Sequence, residues 1–92
     1  MRIRYYIDSV TGQPHIYEHG ISESEVDEIL DNPTQDLQGR NQSRIAIGQT
    51  SAGRYLKVIY AIDPWPESVF VITAYELRPK AKRAVRRRVR KK

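Results

Sequence analysis

The sequence predicts a small α+β domain, in which one antiparallel sheet carries a helix packed on one face and the elements follow the order β-α-β-β-β-α. Residues 22–32 combine a helix start with an amphipathic stripe, and residues 44–75 contain three strand-like runs joined by short turns. After Pro79 the apolar spacing becomes helical. The chain has 92 residues, of which 39% are apolar, so it can bury one modest core. We predict a single domain over residues 1–92, with 79–92 as a basic C-terminal helix or arm.

The best-defined element is a helix that begins after Ser22. Ser22 and Glu25 match a capping box, in which the hydroxyl and the carboxylate satisfy N–H groups that otherwise lack partners. The helix is predicted to end at residue 31 or 32, because Pro33 cannot continue it. Its apolar stripe consists of Val26, Ile29 and Leu30.

Four stretches are typical of strands, and the short links between the last three predict an antiparallel meander. They are residues 3–7, 44–50, 54–62 and 69–75. Residues 54–62 are apolar at nearly every position, which is typical of a central strand covered on both faces. The polar residues 34–43 are predicted to form a loop or a poor edge strand.

The end of the chain is strongly basic. Residues 78–92 contain ten Lys or Arg and no Asp or Glu; because the whole chain carries +5, residues 1–77 carry −5. Such an arm is expected to bind a polyanion, with nucleic acid favoured over an acidic protein partner or a merely solubilising tail. Its like charges repel, so we expect a frayed or partner-stabilised helix. Its narrow apolar stripe consists of Ala81, Ala84, Val85 and Val89.

The composition also narrows the class of protein. There is no Cys, so neither a disulfide framework nor a thiolate metal site can form. No stretch approaches the ~18 apolar residues of a membrane span, and the first ten residues do not resemble a signal peptide. We therefore expect a soluble cytoplasmic protein with no membrane partner. We also expect no metal and no small-molecule cofactor.

The end of the last strand offers groups for chemistry beside the basic arm. RNA supplies its own nucleophile, the 2′-hydroxyl, so an RNase needs little beyond a proton acceptor, a proton donor and a cation over the phosphoryl oxygens. Glu76 or a His is the candidate base, and Tyr75 or a His is the candidate acid. The alternatives are a packed strand tyrosine and a glutamate that offsets the arm's charge. The candidate phosphate clamps are Arg40, Arg44, Arg54 and Arg78.

Residues 15–19 match H-x-x-E-H, the inverted zinc-protease pattern. In an α-helix, the i, i+4 spacing would let both imidazoles face one metal. We set the protease interpretation aside, because Gly20 ends the helix at once and the short chain leaves little room for a peptide cleft. A proton-transfer role at neutral pH, or a surface or capping role, is open to either His.

Several short fragments together resemble the BrnT/RelE-like toxins of bacterial toxin–antitoxin systems, and especially an uncharacterised sister family of BrnT. The fragments are 19–22 (HGIS), 32–33 (NP), 39–40 (GR), 47–50 (IGQT), 53–54 (GR), 58–60 (VIY) and 71–76 (VITAYE), followed by the Arg-rich helix. Their order and spacing carry the resemblance. The Trp-Asp-containing opening of BrnT is missing, and Tyr75-Glu76 stands where BrnT-like toxins tend to show Ala-Arg.

The resemblance implies a RelE/BrnT-like fold, metal-independent cleavage of mRNA or ribosome-associated RNA that blocks translation, and neutralisation by a cognate antitoxin. We therefore expect a toxin-type endoribonuclease whose catalytic residues are His19, Arg54, Tyr75 and Glu76. The expected nucleic-acid-binding residues are Arg40, Arg44, Arg78, Lys82, Arg83, Arg86, Arg87 and Arg90. The alternatives are a non-catalytic RNA- or DNA-binding module and a related-fold toxin that acts on a protein such as DNA gyrase.

Overall fold

The computed structural model describes residues 2–64 and 67–90, with the side chains of 88–90 outside the description. The elements in chain order are β1 (Arg2–Tyr5), a 3₁₀ helix (His15–His19), α1 (Glu23–Asp31), β2 (Gln35–Gln38), β3 (Arg44–Gln49), β4 (Tyr55–Ile62), β5 (Ser68–Glu76) and α2 (Pro79–Arg90). The predicted α+β class is confirmed. No described helix is both long and apolar enough to cross a membrane.

The five strands form one sheet in the order β1-β5-β4-β3-β2. The predicted antiparallel meander is confirmed for β3, β4 and β5, and β2 extends it as an edge strand within residues 34–43. The sheet is mixed, because β1 runs parallel to β5, with Arg2 opposite Ser68. This difference from an all-antiparallel sheet arises because the chain crosses one face of the sheet after β1 before it forms the meander.

The 3₁₀ helix and α1 cover one face of the sheet and form the core with it. The alternate residues Leu56, Val58 and Tyr60 of β4 are buried against these helices. The positions between them, among them Lys57 and Ile59, are only half-buried, so β4 is less covered on its second face than its composition predicts.

The start of α1 has the predicted capping box. The Ser22 hydroxyl accepts a hydrogen bond from the Glu25 N–H at 3.2 Å, and Glu25 Oε1 accepts one from the Ser22 N–H at 3.0 Å. Val26 and Ile29 are fully buried, and Asn32 caps the helix before Pro33. The local signals therefore define both ends of α1 and its buried stripe.

α2 lies against the opposite face of the sheet, over Tyr55 at one end of β4. Lys82 Nζ and Arg86 Cζ lie 5.5 and 5.6 Å from the centre of the Tyr55 ring, and Val85 between them is 3% exposed. Ala84 of the predicted stripe is half-buried, Ala81 is exposed, and the side chain of Val89 lies outside the described residues. The helix is thus held by Val85 and by two cations on one aromatic ring.

Candidate functional site

A cleft of about 350 Å³ lies where β5 ends and α2 begins. Its walls come from β4, β5 and the first turn of α2, and consist of Lys57, Tyr75, Glu76, Leu77, Arg78 and Ala81. A smaller cavity of about 210 Å³ lies at the other end of the sheet, lined by Leu30, Tyr60, Ile62, Glu67, Ser68 and Val69. The first cleft is the better candidate site, because cationic, phenolic and carboxylate groups converge there.

Tyr75 lies between an imidazole and an ammonium group. The ring centre of His19 is 6.0 Å from that of Tyr75, and Lys57 Nζ is 5.6 Å from the same ring. Lys57 stands opposite Tyr75 in the β4–β5 register, so both side chains lie on one face of the sheet. His19 is exposed at the end of the 3₁₀ helix, which Gly20 closes with φ 70°. An imidazole, a phenol and an ammonium group thus lie close together.

Arg54 joins three elements at the same end of the sheet. Its Nη1 donates to Glu25 Oε2 at 2.8 Å and to the Gly20 carbonyl at 3.1 Å, and its Nη2 donates to Glu76 Oε1 at 3.3 Å. Partial burial opposes the charge on Arg54, but the hydrogen bonds to the two carboxylates outweigh it and raise the pKa of Arg54. Arg54 therefore connects the start of α1 to the end of β5.

The four predicted catalytic residues come together as two pairs. Consecutive residues of a strand point to opposite faces, so Tyr75 and Glu76 diverge at the end of β5. The His19 ring lies beside the Tyr75 ring, and Arg54 donates a hydrogen bond to Glu76. The four residues thus lie at one end of the sheet, but in two local environments.

Two of the predicted phosphate clamps lie elsewhere. Arg44 stands opposite Tyr60 and donates to Asp36 at 3.1 Å, whereas Glu76 stands opposite Leu56. Four residues along a strand correspond to about 13 Å, so Arg44 is well removed from the cleft. Arg40 lies in the loop before β3, at the same distant end. The structure does not bring either arginine to Tyr75.

The remaining predicted nucleic-acid-binding residues begin at the cleft and continue along α2. Arg78 lines the cleft, while Lys82 and Arg86 lie on Tyr55. Arg83 and Arg87 are exposed. The side chain of Arg90 lies outside the described residues. The cations of α2 therefore lead away from the cleft rather than line it.

Two residues near the candidate groups, Lys57 and Asp8, were not predicted from the sequence. Lys57 is the one charged residue in the apolar stretch of β4, and this interruption of the pattern was the available signal. Asp8 Oδ2 lies 3.3 Å from His15 Nδ1, and Glu18 Oε2 lies 3.6 Å from the same nitrogen. Residues three apart are aligned in a 3₁₀ helix, so Glu18 rather than His19 shares a face with His15.

The family model described as "Domain of unknown function (DUF4258)" matches residues 14–76, more than half of the chain. The matched range runs from just before the 3₁₀ helix to the last residue of β5. It includes the four predicted catalytic residues and excludes α2. No curated protein and no solved structure matches the chain significantly.

Proposed function

This chain belongs to the DUF4258 family, and we propose that it is a toxin-type endoribonuclease of the BrnT/RelE-like group. In this proposal it acts in the cytoplasm on mRNA or ribosome-associated RNA and so blocks translation. The observation that carries the proposal is the convergence of His19, Tyr75 and Lys57 beside a cleft from which a basic helix begins.

The chemistry requires one proton acceptor and one proton donor. His19 takes the proton of the RNA 2′-hydroxyl, whose oxygen forms a bond to phosphorus. The bond from phosphorus to the 5′ oxygen breaks, and Tyr75 gives that oxygen a proton. The products are a 2′,3′-cyclic phosphate and a 5′-hydroxyl. Lys57 and Arg78 stabilise the negative charge that develops on the phosphoryl oxygens.

We assign Arg54 and Glu76 to positioning rather than to proton transfer. Glu76 is engaged with Arg54, whose second carboxylate partner, Glu25, begins α1. The network fixes the end of β5 relative to the Gly20 carbonyl, next to His19. It thereby fixes the position of the His19 imidazole relative to the Tyr75 phenol.

α2 supplies affinity for the polyanion. Lys and Arg that neutralise phosphates release counterions, which gives strong and salt-sensitive binding without sequence readout. The described residues of α2 include no Asp or Glu to oppose this attraction. A cognate antitoxin would cover the same helix and close the cleft, because one surface serves both partners.

The test begins with expression of the protein alone, which should arrest growth, and with purified protein, which should cleave RNA. His19→Gln and Tyr75→Phe should each slow cleavage by roughly 100-fold or more, because each removes a proton-transfer group. Tyr6→Phe is the matched control, since Tyr6 is an exposed tyrosine whose ring contacts His15 instead. A harmless protein that leaves RNA intact, with and without ribosomes, would contradict the enzyme proposal.

A non-catalytic RNA- or DNA-binding module is the second candidate. It is favoured by the mutual neutralisation of Arg54 and Glu76, which leaves the positive charge concentrated on α2. This candidate predicts binding that persists in His19→Gln and Glu76→Gln and is lost when residues 80–92 are removed. Cleavage by the unmodified protein that is lost in Tyr75→Phe would exclude it.

A further inference from the structure

Three ligand atoms converge where the loop after β1 meets the 3₁₀ helix. One carboxylate oxygen each from Asp8 and Glu18 and one ring nitrogen of His15 lie within 4.8 Å of one another. The imidazole nitrogen is 3.3 Å from the Asp8 oxygen and 3.6 Å from the Glu18 oxygen. Two ligands of a tetrahedral ion with bonds of 2.0–2.2 Å lie about 3.3–3.6 Å apart. The two separations between His15 Nδ1 and the carboxylate oxygens therefore match those of ligands around one small ion.

Hydrogen bonding within this cluster does not neutralise the negative charge of its two carboxylates. His15 Nδ1 carries at most one hydrogen, so the carboxylates of Asp8 and Glu18 would have to share it in one bifurcated hydrogen bond. Among the described residues, neither carboxylate has a Lys or Arg partner. Four other carboxylates, those of Asp36, Asp63, Glu25 and Glu76, each pair with an arginine. A divalent cation would supply the missing positive charge.

The Asp8 carboxylate is already oriented by its surroundings. Its Oδ1 accepts hydrogen bonds from the N–H groups of Val10 and Thr11, at 2.8 and 3.3 Å. The other oxygen, Oδ2, is thereby turned toward His15. Such supporting hydrogen bonds orient metal ligands and reduce the entropy lost when the ion binds.

We propose that Asp8, His15 and Glu18 form a binding site for a zinc-type divalent ion. One imidazole with two carboxylates suits a first-row transition ion, whereas Mg²⁺ and Ca²⁺ prefer oxygen ligands alone. Three protein ligands leave the fourth position to water. The proposed RNA chemistry passes through no metal, so Zn²⁺ binding can be tested separately from cleavage.

The ion would tie the loop after β1 to the 3₁₀ helix. Asp8 lies in the loop, whereas His15 and Glu18 lie in the helix that also carries His19. The His15 and His19 rings are 5.3 Å apart, edge to face. Metal on His15 Nδ1 would hold the ring against which His19 rests, so occupancy would restrict the movement of His19.

The experiment uses the untagged full chain, which has two His and no Cys, so background metal binding is small. Calorimetric titration with Zn²⁺ should give one site, and Co²⁺ should give the visible absorption bands of a four-coordinate ion. Asp8→Asn and His15→Gln should each weaken binding by more than the roughly 10–100-fold that loss of a supporting hydrogen bond costs. Excess Mg²⁺ should not displace the ion.

Two further variants keep the test decisive. Glu18→Gln alters a side chain that is 46% exposed, so it should weaken Zn²⁺ binding without affecting folding. Asp31→Asn, at the exposed end of α1, should bind Zn²⁺ like the unmodified chain. The proposal is overturned if Co²⁺ gives no such bands, if Mg²⁺ displaces Zn²⁺, or if Glu18→Gln and Asp31→Asn bind equally well.

Discussion

The two helices of this chain are attached to the sheet by different means. α1 has nine residues and fully buries Val26 and Ile29 in the core, with a capping box at its start. α2 has twelve residues, yet Val85 is the one buried side chain among those described for it. The longer helix is therefore the more weakly attached. Helix length and helical pattern in this sequence do not measure how firmly a helix is held; buried apolar area does.

The charges of the two helices also favour α1 over α2. The acidic first turn of α1, with Glu23 and Glu25, interacts favourably with the positive end of its helix dipole. α2 begins at Pro79 and has Lys80 in its first turn, with no acidic residue there. Lys80 opposes the positive end of the α2 dipole, and the repulsion among the cations of α2 opposes helix formation. Contact with a polyanion would remove this repulsion, so α2 is suited to being stabilised by what it binds.

The largest expected effect is on the attachment of α1. Ile29→Ala should lower the free energy of unfolding by about 2–5 kcal/mol, because it leaves a cavity in a fully buried site. Urea denaturation followed by circular dichroism measures this. Ile62→Ala is the matched control, since that side chain is 66% exposed. A cost below about 1 kcal/mol for Ile29→Ala would contradict the assignment of α1 to the core.

The corresponding change in α2 should be smaller and local. Val85→Ala removes about two methylene equivalents of buried surface, at most about 1.5 kcal/mol. Amide hydrogen exchange should become faster in α2 while the amides of β4 keep their protection. Equal loss of protection in β4 would show that α2 unfolds together with the core, and the contrast between the helices would fail.

Acid should loosen α1 and leave α2 unaffected. Burial opposes ionisation of Glu25, but the Ser22 N–H and Arg54 outweigh it and lower the pKa of Glu25; bonds from Ser51 lower that of Glu28. The folded-state pKa values lie below the ordinary 4.5, so this stability is present above pH 4.5 and is lost as the pH falls through them. Thermal unfolding from pH 5 to 3 should show a smaller decline for a Glu25→Gln, Glu28→Gln double variant.

The smallest expected effect on stability comes from the exposed charges of α2. Replacing both Arg83 and Arg87 by Gln should change the free energy of unfolding by less than about 0.5 kcal/mol. The same change should weaken RNA binding and reduce the salt slope by about 1 for each phosphate that the helix no longer neutralises. Arg2→Gln, an exposed arginine at the other end of the sheet, should leave the salt slope unchanged. An unchanged slope in the α2 variant would assign the binding elsewhere.

The contrast between the helices also separates what sequence can predict from what it cannot. The boundaries of α1 were predictable, because Ser22, Glu25 and Pro33 act within one or two turns. The parallel pairing of β1 with β5 was not predictable, because no local feature of residues 2–5 specifies a partner strand more than sixty residues away. Such long-range pairings are set by the packing of the whole domain.

The candidate site shows the same division. The proximity of Tyr75 and Glu76 to the basic arm was predictable, because these residues adjoin it in the sequence. The pairing of His19 with Tyr75 and of Arg54 with Glu76 was not predictable, because it depends on contacts between three elements. The metal pattern in the sequence assumed α-helical spacing between His15 and His19. The segment is a 3₁₀ helix, which aligns a different residue with His15.

Gly20 lies at the junction of both halves of the candidate site. Its φ of 70° is strained for any residue with a side chain, at about 1–2 kcal/mol, although no atom lies within 4 Å of a Cβ built there. The preceding residue, His19, contacts Tyr75, and the Gly20 carbonyl accepts from Arg54. One left-handed peptide unit thus sets the alignment of the proposed proton-transfer pair and of the ion-pair network together. A replacement there would misalign both at once, so function would be far less tolerant of change at this position than folding.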